Sequence, residues 1–124
     1  MNKADDVVNA LFKAMSGNTG KKIFELFEIA RKRPAPRFYV TFDNARRFVS
    51  MLDRGLDLPL KNENKKRMYQ ELHSRLKNKR GDKKGCYTLL EEIITSPAPE
   101  FYMDAETFKQ VFYHTIRKSK RIKL

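Results

Sequence analysis

The chain has 124 residues, and its 27 Lys and Arg outnumber its 15 Asp and Glu, so the formal net charge is +12 at pH 7. This length suits one domain with a single core, and no apolar run approaches the roughly 20 residues that a membrane-spanning helix needs. One cysteine excludes an internal disulfide and a cysteine-based metal cluster.

The first half of the chain predicts three amphipathic helices. Apolar residues recur at helical spacing in each segment, and turn residues separate the segments. Asn18 or Thr19 is the expected N-cap of the second helix, and Thr41 that of the third. Pro34 and Pro36 end the second helix because proline lacks an amide donor. The expected ranges are about 4–15, 20–32 and 42–54.

The second half predicts three more helices. The fourth has a narrow apolar stripe and is otherwise mostly cationic or polar, so we expect one side to stay exposed. Cys86, at the start of the fifth, is expected to be a half-buried small hydrophobe. Asp104 is the expected N-cap of the sixth. The expected ranges are about 61–79, 86–95 and 105–118, followed by a basic, partly frayed tail at 117–124. The fold class is therefore all-α, in a single domain.

A hexapeptide occurs twice, 63 positions apart, as Pro-Ala-Pro-Arg-Phe-Tyr at 34–39 and Pro-Ala-Pro-Glu-Phe-Tyr at 97–102. Each copy joins two predicted helices, which indicates two helix-turn-helix-like hairpin repeats over about 20–55 and 86–118. Two such hairpins can bury their apolar faces against each other pseudo-symmetrically, with the basic fourth helix between them. The alternative is that Tyr39 or Tyr102 forms a peptide or base-stacking site. The expected scaffold residues are Pro34, Pro36, Phe38, Tyr39, Pro97, Pro99, Phe101 and Tyr102.

The two copies differ in charge. Arg31-Lys32-Arg33 corresponds to Ile94-Thr95-Ser96, and Arg37 corresponds to Glu100. The segment 87–116 is the one acidic stretch in an otherwise cationic or neutral chain. The first copy is therefore expected to carry cationic recognition, and the second to be a support or a protein-binding face.

Catalytic chemistry is not expected. His73 and His114, the only two histidines, fall on the polar sides of their predicted helices. The segment Gly17–Lys22 lacks the full spacing of a phosphate-binding loop and any preceding strand. No catalytic residue, cofactor site or metal site is predicted, so the chain is not expected to be an enzyme.

A cytoplasmic chain this basic most often binds a polyanion, and the basic residues fall into three groups. The absence of zinc-finger, RNP-type or zipper spacing favours contacts to the phosphate backbone of nucleic acid over the reading of bases. DNA is the first expected partner, and the sequence does not separate it from RNA. The alternative is a helical adaptor or virion component that binds an acidic protein, and an oligomer is possible. The expected nucleic-acid-binding residues are Arg31, Lys32, Arg33, Arg37, Arg46, Arg47, Lys66, His73, Lys77, Lys79, Arg80, Lys83, Lys84, Lys118, Lys120 and Arg121.

The duplicated hexapeptide, with a capped helix carrying Ala-Arg-Arg or an equivalent after each copy, resembles small uncharacterised helical proteins of gut Bacteroidota and their phages or mobile elements. The resemblance covers about residues 23–118 and rests mainly on the two hexapeptides. It implies a phage or mobile-element context and no particular mechanism. The N-terminus has acids at Asp5 and Asp6 where a signal peptide needs an apolar stretch, so we expect a cytoplasmic or virion-associated protein.

Overall fold

The computed structural model describes residues 3–79 and 85–122, with side chains up to residue 118. Within these ranges the chain forms six α-helices and no strand, which confirms the all-α prediction. No helix of the described residues is long and apolar enough to cross a membrane. The helices are α1 (Lys3–Gly17), α2 (Ile23–Arg31), α3 (Phe42–Asp53), α4 (Glu63–Asn78), α5 (Cys86–Ile94) and α6 (Ala105–Ile122).

The helices are grouped into two compact units. Unit 1 comprises Met1–Ala35 and Pro99–Leu124, and unit 2 comprises Pro36–Ala98. Unit 1 therefore contains α1, α2 and α6, and unit 2 contains α3, α4 and α5. The chain leaves unit 1 within the first hexapeptide and returns to it within the second.

The core of unit 1 is rich in phenylalanine. The α2 residue Phe27 is buried, and its ring lies 6.1 Å from that of Phe108 and 5.8 Å from that of Phe112, both on α6. Phe101, which follows the second hexapeptide turn, packs edge to face on Phe108 at 5.7 Å. Helix α1 buries Val7, Ala10, Leu11 and Ala14, whose helical spacing forms one apolar stripe.

The core of unit 2 combines aromatic and aliphatic side chains. Phe48 of α3 and Tyr69 of α4 are buried with ring centroids 4.7 Å apart, and burial raises the pKa of the Tyr69 hydroxyl. Helix α4 buries only the narrow stripe Met68, Tyr69, Leu72 and Leu76, as its sequence predicts. Helix α5 buries Leu89, Leu90, Ile93 and Ile94.

Side-chain caps begin three helices. The Thr41 hydroxyl accepts a hydrogen bond from the Asn44 N–H at 3.2 Å, and the Asp104 carboxylate accepts one from the Thr107 N–H at 2.7 Å, both as expected. Asn62 caps α4 in the same way, through the Lys65 N–H at 3.1 Å. The hydrogen bonds that a helix start leaves unmade are thereby partly supplied.

The expected cap of α2 is wrong. Asn18 donates its side-chain amide to the carbonyl of Ala14 at 2.9 Å and so belongs to the end of α1. Gly20 then takes a left-handed conformation (φ +84°), and α2 begins only at Ile23, after Lys22, which makes no side-chain cap bond. The turn between the two helices therefore takes up residues that the sequence assigned to α2.

The hexapeptides connect the helices differently from the predicted hairpins. The Phe38 N–H donates to the Ile94 carbonyl at 3.0 Å in unit 2, and the Phe101 N–H donates to the Arg31 carbonyl at 3.1 Å in unit 1. Each phenylalanine thus bonds the C-terminal carbonyl of a helix from the other sequence copy. Both phenylalanines are buried, both tyrosines of the hexapeptides are half-buried, and the prolines are exposed.

Helix packing follows the same exchange. Helix α2 packs on α1 and α6, and α3 packs on α4 and α5. The predicted packing of α2 with α3 and of α5 with α6 as hairpins is not confirmed, since the packing described above is within each unit. A pseudo-symmetric relation between the repeats stays a prediction.

Candidate functional site

A cationic groove lies in unit 2 between α3 and α5. Its cavity has a volume of about 810 Å³, within the roughly 300–1,000 Å³ of ligand-binding clefts. Arginines line one side, an exposed tyrosine and the cysteine lie at the start of α5, and aliphatic side chains complete the lining. We call this cavity the groove. The side chains that define it are Arg46, Arg47, Arg54, Cys86, Tyr87, Val49, Leu76 and Leu90.

The three arginines of the groove belong to one helix and its C-cap. Arg46 and Arg47 lie in the middle of α3 and Arg54 caps its C-terminus; all three are exposed. In the described part of the chain, none of them forms an ion pair with a carboxylate. Thr41 and the buried face of α3 fix the direction of these side chains, because Ala45, Phe48 and Val49 must point inward. The guanidinium groups are thereby available to an external anion.

Aromatic rings support two of these arginines. The Arg46 guanidinium lies 5.9 Å from the centroid of the Tyr87 ring, and that of Arg47 lies 5.3 Å from the centroid of Phe48. Such cation–π contacts are worth about 0.5–1 kcal/mol at exposed sites. They orient the side chains without neutralising their charge.

The groove also contains carboxylates. Asp43 and Asp53 are among its lining residues, so its charge is not uniformly positive. Asp53 contacts the His73 Nε2 of α4 at 3.3 Å. His73 is therefore a half-buried contact between α3 and α4, whereas the sequence indicated a solvated side chain.

Arg37 lies in a different environment from the arginines of the groove. It lines a second cavity of unit 2, of about 440 Å³, together with Glu91 and Glu92. Its Nε donates to the carbonyl of Phe38 at 3.2 Å. The two glutamates lower the attraction of this cavity for phosphate, so Arg37 is a weaker candidate for a phosphate contact than Arg46.

The basic residues at the end of α2 belong to unit 1, whereas the arginines of α3, with which the sequence grouped them, belong to unit 2. Arg31 is largely taken up by the fold, since its guanidinium bonds the Glu28 carboxylate at 2.9 Å and the Met103 carbonyl at 3.4 Å. Lys32 is exposed and 4.0 Å from Glu28, and Arg33 is half-buried. Lys118 is exposed on α6.

The predicted basic row on α4 is only partly open. Lys66 lies 3.4 Å from the Glu63 carboxylate, and His73 contacts Asp53. Lys77 and Lys79 are exposed near the end of the helix. Five further predicted residues lie outside what the structure describes, in whole or in their side chains: Arg80, Lys83, Lys84, Lys120 and Arg121.

Sequence reasoning missed the positions or roles of four residues of unit 2. Arg54 and Arg75 were not among the expected binding residues, and Tyr87 was assigned to the core of its helix. Cys86 is exposed, which corrects the expected half-buried position. Cys86 and Tyr87 lie in the first turn of α5, before Leu89, the first buried residue of that helix. The 63-residue shift indicates this position, because it aligns Tyr87 with Phe24, which is exposed too.

Unit 1 exposes large apolar side chains on three helices. Phe12 is 51 % exposed and Phe24 56 %, and Tyr113 is 40 % exposed. Phe12 packs edge to face on the Phe112 ring at 6.5 Å, and Tyr113 on the Phe27 ring at 6.0 Å, so these side chains continue the core outward. We call this surface the unit 1 apolar face; it comprises Phe12, Met15, Ile23, Phe24 and Tyr113.

The residues that the structure describes contain no group of three His, Cys, Asp or Glu side chains that could hold a metal ion. Comparisons with protein-family models, with curated proteins and with solved structures find no match for the chain. The resemblance to proteins of Bacteroidota and their mobile elements therefore stays a prediction.

Proposed function

We propose that the protein is a non-enzymatic nucleic-acid-binding protein that contacts phosphates through the groove of unit 2. The observation that carries this proposal is the set of three exposed arginines of α3, unpaired with any carboxylate in the described chain. Arginine binds phosphate oxygens with two parallel hydrogen bonds, which makes it well suited to this contact. Lys77 and Lys79, exposed on α4, would extend the cationic surface.

The net charge supports the same proposal. A charge of +12 on 124 residues attracts a polyanion at long range and raises its rate of association. Arg31 is held inside the fold by Glu28 and Met103, and Arg37 faces two glutamates. The groove therefore combines exposed, unpaired arginines with a cleft of suitable size.

The test is a binding measurement on a double variant. Arg46→Glu with Arg47→Glu should weaken binding to a nucleic-acid strand and leave the thermal midpoint unchanged, because both side chains are exposed. The slope of log K against log salt should become less steep by about 1.4, since each single-strand phosphate contact adds roughly 0.7. The measurement is a fluorescence anisotropy titration over a salt series.

A charge-matched variant separates the groove from general electrostatics. Lys13→Glu with Lys21→Glu changes the net charge by the same amount at two exposed positions of unit 1. Its binding should stay close to that of the wild type. If both double variants lose the same affinity, the groove has no special part in binding. Absence of wild-type binding at about 50 mM salt would contradict nucleic-acid binding altogether.

The unit 1 apolar face favours a second function, that of an adaptor for an acidic protein. Large apolar side chains left exposed on three helices of one unit are typical of an interaction site. Two copies of a chain with a charge of +12 repel each other, so an acidic partner fits this face better than a second copy. An acidic amphipathic helical peptide should bind, and a scrambled peptide of the same composition should not. Phe24→Ser should abolish binding, and equal binding of both peptides would contradict this function.

A further inference from the structure

We infer that the groove binds an unpaired nucleobase on Tyr87, so that the preferred ligand is single-stranded nucleic acid. This inference rests on the proposed function and specifies its substrate class. Tyr87 is 60 % exposed, the largest exposed fraction among the large apolar side chains of the described residues. An aromatic ring exposed beside arginines is the arrangement that proteins use to stack bases of a single strand.

The position of the Tyr87 ring is fixed in advance. The Phe42 ring contacts it at 5.9 Å with an interplanar angle of 75°, and the Arg46 guanidinium lies at 5.9 Å from its centroid. A ring held in this way loses little conformational freedom when a base stacks on it. Arg46 can add to the stack, because guanidinium planes also pack on bases.

The remaining groove residues suit one nucleotide and its backbone. Arg47 and Arg54 line the same cavity and carry the charge that phosphates need. Leu76 and Leu90 give it an apolar part, on which the face of a base loses contact with water. Bases in a duplex are stacked on one another and cannot offer a face to Tyr87. A single strand can, which is why it should be preferred.

Unit 1 shows what is specific to the groove. The shift by 63 residues aligns Tyr87 with Phe24, which is also exposed at a helix start. It aligns the Arg46–Arg47 pair with Lys109 and Gln110, and Lys109 is 4.0 Å from the Glu106 carboxylate. The exposed aromatic is thus present in both units, and in unit 2 it lies 5.9 Å from Arg46, which forms no ion pair among the described residues. Phe24 therefore provides a matched control position.

The experiment compares two single strands that have the same charge but differ in their bases, with a duplex and an acidic peptide as further ligands. Fluorescently labelled strands of about 12 nucleotides, within the roughly 4–16 of known single-strand sites, are titrated by anisotropy. They are a thymidine homopolymer, the same backbone with abasic sugars, and a duplex; oligoglutamate of equal charge is the fourth ligand. The homopolymer should bind about 5- to 150-fold more tightly than the abasic strand, the range expected for one stacked base.

Variants assign that margin to the ring. Tyr87→Leu should remove it, while Tyr87→Phe and the matched Phe24→Leu should keep it. Thermal unfolding of each variant shows that the fold is intact, which matters because Tyr87 contacts Phe42. Alkylation of Cys86, the only cysteine and exposed beside Tyr87, gives an independent readout. The homopolymer should slow its rate more than the abasic strand does.

The outcomes are distinguishable. Equal binding of homopolymer, abasic strand and duplex, or an unchanged margin in Tyr87→Leu, would overturn the base-stacking inference and leave nucleic-acid binding standing. Failure to bind any of the three would overturn the proposed function as well. Oligoglutamate that binds as tightly as the homopolymer would also overturn the inference, and would point to an acidic protein as the ligand of the groove.

Discussion

We expect Arg75→Ala to destabilise the protein more than alanine substitution of any other exposed or half-exposed Lys or Arg discussed above. Its Nη1 donates to the Pro97 carbonyl at 2.8 Å and to the Ser96 hydroxyl at 3.3 Å. Its guanidinium lies 4.9 Å from the centroid of the buried Phe38 ring, and its Nε bonds Glu71 at 3.4 Å. One side chain of α4 thereby joins the two hexapeptide segments of unit 2 that flank its helices.

The magnitude follows from these contacts. A hydrogen bond from a charged donor contributes about 1.5–3 kcal/mol, and the cation–π contact about 0.5–1 kcal/mol. The pair with Glu71 adds little, because both side chains are about a third exposed, at 30 % and 33 %. Arg75→Ala should therefore lower the free energy of unfolding by about 2–4 kcal/mol. For a chain of this length the thermal midpoint should fall by roughly 10 °C.

The assay is thermal unfolding followed by circular dichroism, with two companion variants. Lys77→Ala removes an exposed cation from the same helix and should change stability by less than about 0.5 kcal/mol. Arg75→Lys keeps the charge but loses the planar fork, so its midpoint should fall between the two. If Arg75→Ala and Lys77→Ala unfold at the same temperature, the contacts of Arg75 make no net contribution, and the separation of fold-stabilising from available arginines is unsupported.

Two further predictions concern helix ends. The pKa of Asp104 lies below its ordinary value, chiefly because the Thr107 N–H bonds its carboxylate, so its stabilisation is complete above the unfolded-state pKa and is lost as pH falls through the lower folded-state value. Acid titration of stability should therefore be shallower for Asp104→Asn, which keeps the cap, whereas Asp104→Ala should cost about 1 kcal/mol at neutral pH. Gly55 has φ +75° at the end of α3, so Gly55→Ala should lower the free energy of unfolding by about 1–2 kcal/mol. Gly17 is at a helical position with free space around it, so Gly17→Ala should leave the free energy of unfolding unchanged or raise it. Denaturant titration of both glycine variants measures this, and equal effects at the two positions would contradict this account.

Helix positions and two caps could be predicted from the sequence because they depend on local information. Apolar residues at helical spacing define each helix, and the expected starts of α3 and α6 agree with the caps at Thr41 and Asp104. The start of α2 could not be predicted reliably. Asn18 has a side chain that can serve either the end of one helix or the start of the next, and in the structure it bonds the end of α1.

The pairing of the helices could not be predicted, because the two sequence copies have similar apolar stripes. An apolar stripe on α2 requires a partner, but α3 and α6 offer apolar stripes at similar spacing. The sequence therefore permits packing within each copy and packing exchanged between copies. The hydrogen bonds from Phe38 to Ile94 and from Phe101 to Arg31 show that the exchanged arrangement is adopted. No local pattern distinguishes the two, since the hexapeptides are nearly identical.

For the candidate site, the sequence could predict a set of basic residues but not which of them are available to a ligand. Composition identifies a cationic protein, but it does not separate arginines that stabilise the fold from arginines that face solvent. Arg31 and Arg75 donate hydrogen bonds to backbone carbonyl groups. Among the described residues, Arg46, Arg47 and Arg54 have no such bond. That distinction requires the positions of the acceptors, which come from distant parts of the chain.

The two sequence copies keep similar apolar positions but carry different exposed side chains. Equivalent positions at the start of α2 and α5 expose Phe24 and Tyr87, so packing leaves this site open in both units. What differs is the neighbouring helix, where exposed arginines in α3 stand at the positions of Lys109 and Gln110 in α6. Changes at such exposed positions leave the core unchanged and have little effect on the free energy of unfolding. We therefore propose that recognition depends on α3 and that the repeated hexapeptides maintain the framework that presents it.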